Sequence, residues 1–365
     1  MEDKIRKLLQ SAQPLKAKDI ANRLGFDRGR VSSLLHMQKS AFEQDEQYRW
    51  FLKSSVLRIT FPETEWLTTD QFESTLCAVD SPLESSHTDV LIQFAKQTSL
   101  LIDTIARLLA LCNQLAAAGK SVKLDLANCR NTRTYLDRVG FFDQLDSDIV
   151  VLPNRPSTSS AATYRGSSDK MLEVVAIDLK DPRDDSILRG LRERLDKAIV
   201  SENPVRAHTI LGELFDNIHE HSSSPIPGFA ALQVYGKGPR PNIRTVFSDS
   251  GAGIVGTLRP TLTREQILSF ERSGKDPRVA LIEYIFSHGK LSRFDAAKSG
   301  RGLGLKRAGE LANQFNNSVK GSITVRQDTF EVTIQLHSDR FVFSHRLNLH
   351  KLSGTHICFN MFLTN

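Results

Sequence analysis

The stretch HTILGELFDNIHEHS, residues 208–222, holds the densest set of side chains able to do chemistry. On a helix turning about 100° per residue, Glu213, Asp216, Asn217, Glu220 and His221 fall on one arc. Leu211, Leu214, Phe215 and Ile218 fall on another. Glu213 and Asn217 stand one turn apart on the polar arc. A carboxylate and an amide oxygen so placed position a water and a Mg²⁺ beside a phosphate chain. A second set is NIRTVFSDSGAGI, residues 242–254, where a strand ends in Asp249 and the chain turns away. Gly251 and Gly253 let backbone approach a flat ring, and a fixed carboxylate at Asp249 accepts a hydrogen bond from an exocyclic amine such as that of adenine.

A third set is SRFDAAKSGRGLGLKRAGELANQF, in which Gly300, Gly302 and Gly304 precede a helix over 305–315. Glycine-rich backbone entering a helix offers N–H groups and a positive dipole end to phosphates, and Lys298 and Arg301 add charge. A dinucleotide-binding fingerprint would need a further glycine and a βαβ unit, and a Walker A loop would need Gly-Lys-Ser/Thr; neither is present. The fourth set is SGTHICFNMF, a strand opened by Gly354 and Thr355, whose hydroxyl can reach the Asp249 carboxylate through a water.

Taken in order, ELFDNIHEHS, DSGAGI, GRGLGL and GTHICF resemble the N box, the two glycine boxes and the closing strand of the GHKL superfamily. Its members include DNA gyrase B subunits, histidine kinases, MutL-type proteins and anti-sigma-factor kinases. The resemblance spans about residues 171–363 and implies an ATP- and Mg²⁺-binding Bergerat fold, a two-layer α/β sandwich with a mixed sheet and helices on one face. It implies Glu213 as the general base that activates water and Asn217 as the Mg²⁺ ligand. Asp249 would read the adenine amine with Gly251 and Gly253 beside the ring. Gly300, Arg301, Gly302, Leu303, Gly304 and Leu305 would form the phosphate loop together with Lys298, and Thr355 would lie near adenine. Residues 255–299 would form a lid over ATP, with Lys290 and Arg293 as phosphate contacts and Lys275 as a solvated charge.

These residues must be carried by elements, and the chain organises into three blocks. Residues 171–365 form the ATP-binding block. Residues 84–155 read helix, strand, helix, strand. Here LLIDTIARLLALCNQLAAAG is an amphipathic helix, KSVKLDLANC is a strand, RNTRTYLDRVGFF is a helix and DIVVLP is a strand. The order resembles STAS-like domains, whose regulatory members accept phosphate at the start of the helix after the strand. Thr132 is the nearest hydroxyl, with a plain helix cap as its simpler role. Residues 61–83 read as a connector, and the Ser/Thr/Ala-rich segment 155–169 reads as a linker or loop.

In residues 1–60, Pro14 ends a first helix, Gly25 stops a second, and Asp27 caps a third that carries Arg28, Arg30, Ser32 and Ser33 beside Val31, Leu34 and Leu35. AFEQDEQYRWFL then supplies strand-like flanks around a polar turn. This block resembles winged helix-turn-helix domains, which implies DNA or RNA binding through Arg28, Arg30, Ser32 and Ser33, or protein docking. Its twelve Lys/Arg against seven Asp/Glu carry a net charge of +5 out of +6 for the 365 residues, so a polyanionic partner belongs here.

Hydrophobic residues at 40% and charged residues at 25% exclude a disordered chain. Four scattered cysteines without a CxxC argue against a disulfide framework and a zinc site, and the absence of an apolar span or leader points to the cytoplasm and away from a membrane. Compared with its relatives the chain shows no phosphoacceptor helix before the N box, where His208 reads as a surface residue, and no transducer domain after the closing strand. The expectation is a multidomain, cytoplasmic Mg²⁺-ATP-binding regulator, an ATPase with a nucleic-acid-binding winged helix. Alternatives are an anti-sigma-type Ser/Thr protein kinase acting on a STAS-like domain or partner, and a non-hydrolysing ATP-sensing DNA-binding regulator of transcription or phage defence. A homodimer is compatible with each.

Overall fold

Local signals fix the first helices. In the computed structural model, which describes residues 1–11, 14–39, 41–52, 56–177, 184–199, 205–221, 224–236, 241–288, 319–337 and 340–363, α1 (Glu2–Ser11) ends before Pro14. Helix α2 (Ala17–Leu24) stops at Gly25, whose left-handed φ of +68° turns its N–H back to the Ala21 carbonyl. The Asp27 carboxylate accepts from the Arg30 N–H at 2.9 Å and starts α3 (Arg28–Met37). A short antiparallel hairpin follows, β1 (Phe42–Gln44) and β2 (Trp50–Leu52), tied to the segment between α1 and α2 by paired Leu15–Trp50 backbone bonds. Ile5, Ile20, Val31, Leu35, Phe42 and Trp50 close a small core. These elements fall in the first of two units, Met1–Leu57 with Ser86–Asp89; Arg58–Ser85 and Val90–Asn365 form the second.

The second unit holds two main sheets. The smaller has the order β3 (Val56–Phe61), β5 (Asp89–Phe94), β7 (Ser121–Asp125), β8 (Val150–Leu152), with β7 and β8 parallel. A two-residue parallel pair joins β4 (Trp66–Leu67) to β6 (Ser99–Leu100). Around them lie α4 (Thr69–Cys77), α5 (Ile102–Ala117), α6 (Arg130–Arg138) and the single turns α7 (Phe141–Gln144) and α8 (Ser160–Thr163). The expected connector over 61–83 is thus structured: Thr68 and Gln71 form a reciprocal capping box for α4, and Phe72 and Leu76 are buried. The expected linker is held as well, because Ser160 bonds Asp137, and the Arg155 guanidinium donates to the Leu145 carbonyl at 2.9 Å.

The larger sheet has seven strands among the described residues, in the order β14 (Phe341–Arg346), β13 (Phe330–Leu336), β12 (Val319–Asp328), β15 (Leu352–Leu363), β11 (Asn242–Ser248), β10 (Gly228–Tyr235), β9 (Met171–Ile177). Every adjacent pair is antiparallel, so the expected mixed sheet is corrected to an antiparallel one. One face is apolar. Leu232, Ile243, Phe247, Ile323, Val325, Ile334, Ile357 and Phe359 pack there against α9 (Asp185–Ala198), α10 (Val205–His221) and α13 (Pro277–His288).

The other face is covered too, which corrects the two-layer expectation. Helix α5 lies against β10, β11 and β15 on the opposite side of the sheet. Its residues Ile102–Leu115 are buried on every side, not along one stripe. One side of the helix meets β7 and α7, and the other meets the large sheet. Its polar residues are therefore paired across the contact: Arg244 with Asp103 at 2.7 Å, and Arg107 with Glu73 at 2.7 Å and Glu331 at 2.5 Å.

Between β11 and β12 the described chain forms α11 (Gly253–Leu258), a single 3₁₀ turn at Arg259–Thr261, α12 (Arg264–Glu271) and α13. Val279, Leu281, Ile282, Ile285 and Phe286 of α13 are core residues. Within the expected lid, α13 thus packs into the core, whereas residues 259–269 are exposed or half-buried and residues 289–299 lie outside the described residues. No described helix is long and apolar enough to cross a membrane.

Candidate functional site

Helix α10 forms because Ala207, Ile210, Leu211, Leu214 and Phe215 recur at helical spacing, and all five are fully buried against β10 and β11. Glu213 and Asp216 lie off that apolar side and are half-buried. The helix backbone carries Asn217 and His221 one and two turns beyond Glu213, as expected; the Asn217 side chain lies outside the described residues. His208 faces α9, with Nε2 2.6 Å from an Asp196 carboxylate oxygen.

The Asp249 turn is the best-defined part of the site. Asp249 directly follows β11, continuing the alternating series Ile243, Thr245, Phe247, and it is 6% exposed. Its N–H donates to the Thr355 carbonyl at 2.9 Å, and one carboxylate oxygen accepts from the Gly251 N–H at 2.7 Å. Thr355 is buried on the neighbouring strand β15. The structure thus brings Asp249, Gly251 and Thr355 together, with Thr355 joined to Asp249 through its backbone carbonyl. Gly354 makes this closeness possible. Its φ is +88°, and a Cβ there would stand 2.0 Å from the Asp249 carbonyl oxygen.

Gly253 has a different reason to be glycine than a ring beside it. Its φ is +72°, and the space a Cβ would take holds the side chain of Gln327. That amide is oriented so that its oxygen accepts from the Ile254 N–H at 2.7 Å and the Val255 N–H at 3.2 Å, which caps the start of α11. Beside this turn opens a cleft of about 550 Å³ whose walls include Gly251, Ala252, Phe330, Arg259, Arg278 and Lys351.

The predicted phosphate loop, with Lys298, Gly300, Arg301, Gly302, Leu303, Gly304 and Leu305, lies outside the described residues, as do Lys290 and Arg293. Lys275 is an exposed ion-pair partner of Glu283, at 2.5 Å. Among the described residues no cluster of His, Cys, Asp or Glu could hold a metal ion. Magnesium at phosphate-transfer sites is held by one or two carboxylates plus substrate phosphates, and an amide such as that of Asn217 would add a neutral oxygen to such a set. A buried carboxylate beside a buried Thr at the ends of adjacent strands likewise fits a purine edge, which presents an amine next to ring nitrogens.

Thr132 is neither exposed nor a cap. Cys129 holds the N-cap position of α6, while Thr132 is 5% exposed and its hydroxyl donates to the Thr98 carbonyl. In the first unit, Arg28, Arg30 and Ser33 are exposed on α3, and Ser32 is half-buried. The hairpin tip presents Tyr48, 74% exposed at a φ of +60°.

Sequence patterns missed the groups behind the site. His356 is buried next to Thr355, with Nδ1 2.6 Å from the Ser248 hydroxyl and Nε2 3.1 Å from the Ser353 carbonyl. Burial, with Arg326 and Arg107 nearby, pushes its imidazole down to about 3. Arg326 itself is fully buried and reaches Glu73 at 2.9 Å, so Arg326, Glu73, Arg107 and Glu331 form a chain of ion pairs between α4, α5 and the sheet that continues to Arg346. For Glu331, burial works to raise the carboxyl, but Arg107 and Arg346 outweigh it and hold it below its usual range. Gln114 and Gln327 were likewise invisible as site residues, since a lone glutamine has no motif. Comparison of the chain with protein-family models, with curated proteins and with solved structures finds no match.

Proposed function

We propose that the chain is a nucleotide-controlled regulator: its second unit binds Mg²⁺-ATP in a Bergerat-type site and hydrolyses it, and its first unit is a winged helix that binds nucleic acid. The observation that carries the reading is the buried Asp249 carboxylate, held against Gly251 at the end of a central strand and beside Thr355. In this reading Asp249 accepts the adenine amine and Thr355 lines the same edge. Glu213 takes a proton from water, and Asn217 holds the metal. Bound Mg²⁺ supplies charge neutralisation to the phosphates, so the protein's task is mainly to orient and to move that one proton. For the first unit, support comes from two arginines and a serine exposed on the second helix of a helix-turn-helix, next to an exposed hairpin tip.

A kinase reading with Thr132 as its own acceptor is less well supported, since that hydroxyl is buried and already bonded. Incubation with γ-labelled ATP separates the cases. Free phosphate that is lost in Glu213→Ala, with nucleotide binding retained, is the expected result. Labelled protein would favour the kinase, and binding without either product the sensor. Absence of ATP binding would overturn the proposal.

A further inference from the structure

We propose that Gln114 of α5 is a positioning residue for the adenine end of the site, so that the middle region sets the geometry in which Asp249 and Thr355 meet a nucleotide. This rests on the function proposed above. The argument begins with an irregularity in β15. Pairing with β12 runs from Val319 to Gln327↔Thr355 and then jumps to Asp328↔Leu352. Ser353 and Gly354 are left out of that ladder, which frees the backbone groups of Ser353.

Ser353 is half-buried, and α5 supplies partners for its freed backbone groups. The Gln114 carbonyl oxygen accepts from the Ser353 N–H at 2.9 Å. Its amide nitrogen donates to the Ser353 carbonyl at 2.9 Å and to the Ser250 hydroxyl at 2.9 Å. Gln114 is 5% exposed, and both ends of its amide are in use. Ser250 directly follows Asp249, and Ser353 stands two residues before Thr355. One side chain therefore ties together the two turns that carry the adenine-reading groups. No apolar residue of similar size could do so, because it can neither accept from the Ser353 N–H nor donate to the Ser250 hydroxyl.

Two readouts on the full chain test this. In the nucleotide-free protein, Gln114→Met should speed amide exchange at Ser353 and at Asp249 by roughly tenfold, the loss of about one net hydrogen bond or more. By calorimetry with non-hydrolysable ATP and GTP analogues plus Mg²⁺, the same variant should lose roughly tenfold in its preference for adenine over guanine. A bland structural role would weaken both nucleotides alike. If Gln114→Met fails to fold, Ser250→Ala removes only the far end of the clamp and should shift the same preference in the same direction. Adenine preference and exchange unchanged in the variants would overturn the inference and leave the ATP site standing. A wild-type chain that binds neither analogue would overturn the proposed function, and Gln114 would then be a structural clamp only.

Discussion

Lowering the pH from 7 to 5 should loosen the centre of the large sheet through His356 alone. In the folded chain the neutral ring donates from Nε2 to the Ser353 carbonyl and accepts at Nδ1 from the Ser248 hydroxyl. Protonation would place a cation in a buried site facing Arg326 from β12 and Arg107 from α5, and it would force the Ser248 hydroxyl to turn from donor to acceptor. The imidazole is accordingly depressed from 6.5 to about 3. Between those values the unfolded chain binds the proton and the folded chain does not, so stability falls as pH drops, by about 1.4 kcal/mol per unit. From pH 7 to 5 the loss is about 2 kcal/mol, roughly a 25-fold rise in the opening constant. It is best read as exchange of the most protected amides of β11 and β15, corrected for intrinsic rates, since a two-unit chain need not open in one step. His356→Asn keeps an acceptor for Ser248 and cannot titrate, so it should be less stable at pH 7 and show no slope. A ring that titrates near 6 by NMR, or a variant with the wild-type slope, would refute the reasoning.

Glu73→Gln should destabilise the second unit by about 3–5 kcal/mol in urea titrations, because Arg107 and Arg326 would be left buried with too little counter-charge; a loss below about 1 kcal/mol would mean water reaches the network. Gly354→Ala should cost about 2 kcal/mol or more, since it forces a side chain into φ +88° and onto the Asp249 carbonyl, and it should weaken ATP binding in calorimetry. Arg30→Ala should weaken nucleic-acid retardation and lower the slope of log K against log salt by roughly one. An unchanged slope would assign α3 to protein docking.

Local chemistry was readable in the sequence. The Asp27 cap, the Gly25 stop and the helical spacing of Leu211, Leu214 and Phe215 depend on neighbours in the chain, and the structure has each of them. The Asp249 turn was readable for the same reason, since an Asp followed by glycines makes its own hydrogen bond to the Gly251 N–H. What depends on distant partners was not. The polar residues of α5 looked like a solvated stripe, and each turns out to be paired across an interface: Asp103 with Arg244, Arg107 with Glu73 and Glu331, Gln114 with Ser250 and Ser353, and Asn113 with the Gln144 carbonyl. Strand direction was hidden too, because alternation is the same in parallel and antiparallel pairs. The capping box Thr68-x-x-Gln71 was a signal for α4 that the connector reading passed over.

The second face of the sheet bears on how signals could reach a nucleotide. That face is built from groups that need partners: Arg244, Ser248, Arg326, Glu331 and His356. Such groups tolerate burial only when satisfied: Arg244, Arg326 and Glu331 find partners on α4 and α5, while Ser248 and His356 bond each other beneath them. Stripping the middle region away would expose or orphan them, so the middle region is part of the domain that holds Asp249, not a substrate that docks and leaves. A separable phosphoacceptor would present its hydroxyl to solvent, whereas Thr132 spends its hydroxyl on the Thr98 carbonyl. Under the proposed function, a stimulus acting on the middle region would reach Ser250 and Ser353 through the hydrogen bonds of Gln114 on α5, and it would act by changing nucleotide affinity before chemistry. The coupling must then be reciprocal: a saturating adenine nucleotide should protect the α5 amides from exchange, and nucleotide binding that leaves α5 exchange untouched would show that the route carries nothing.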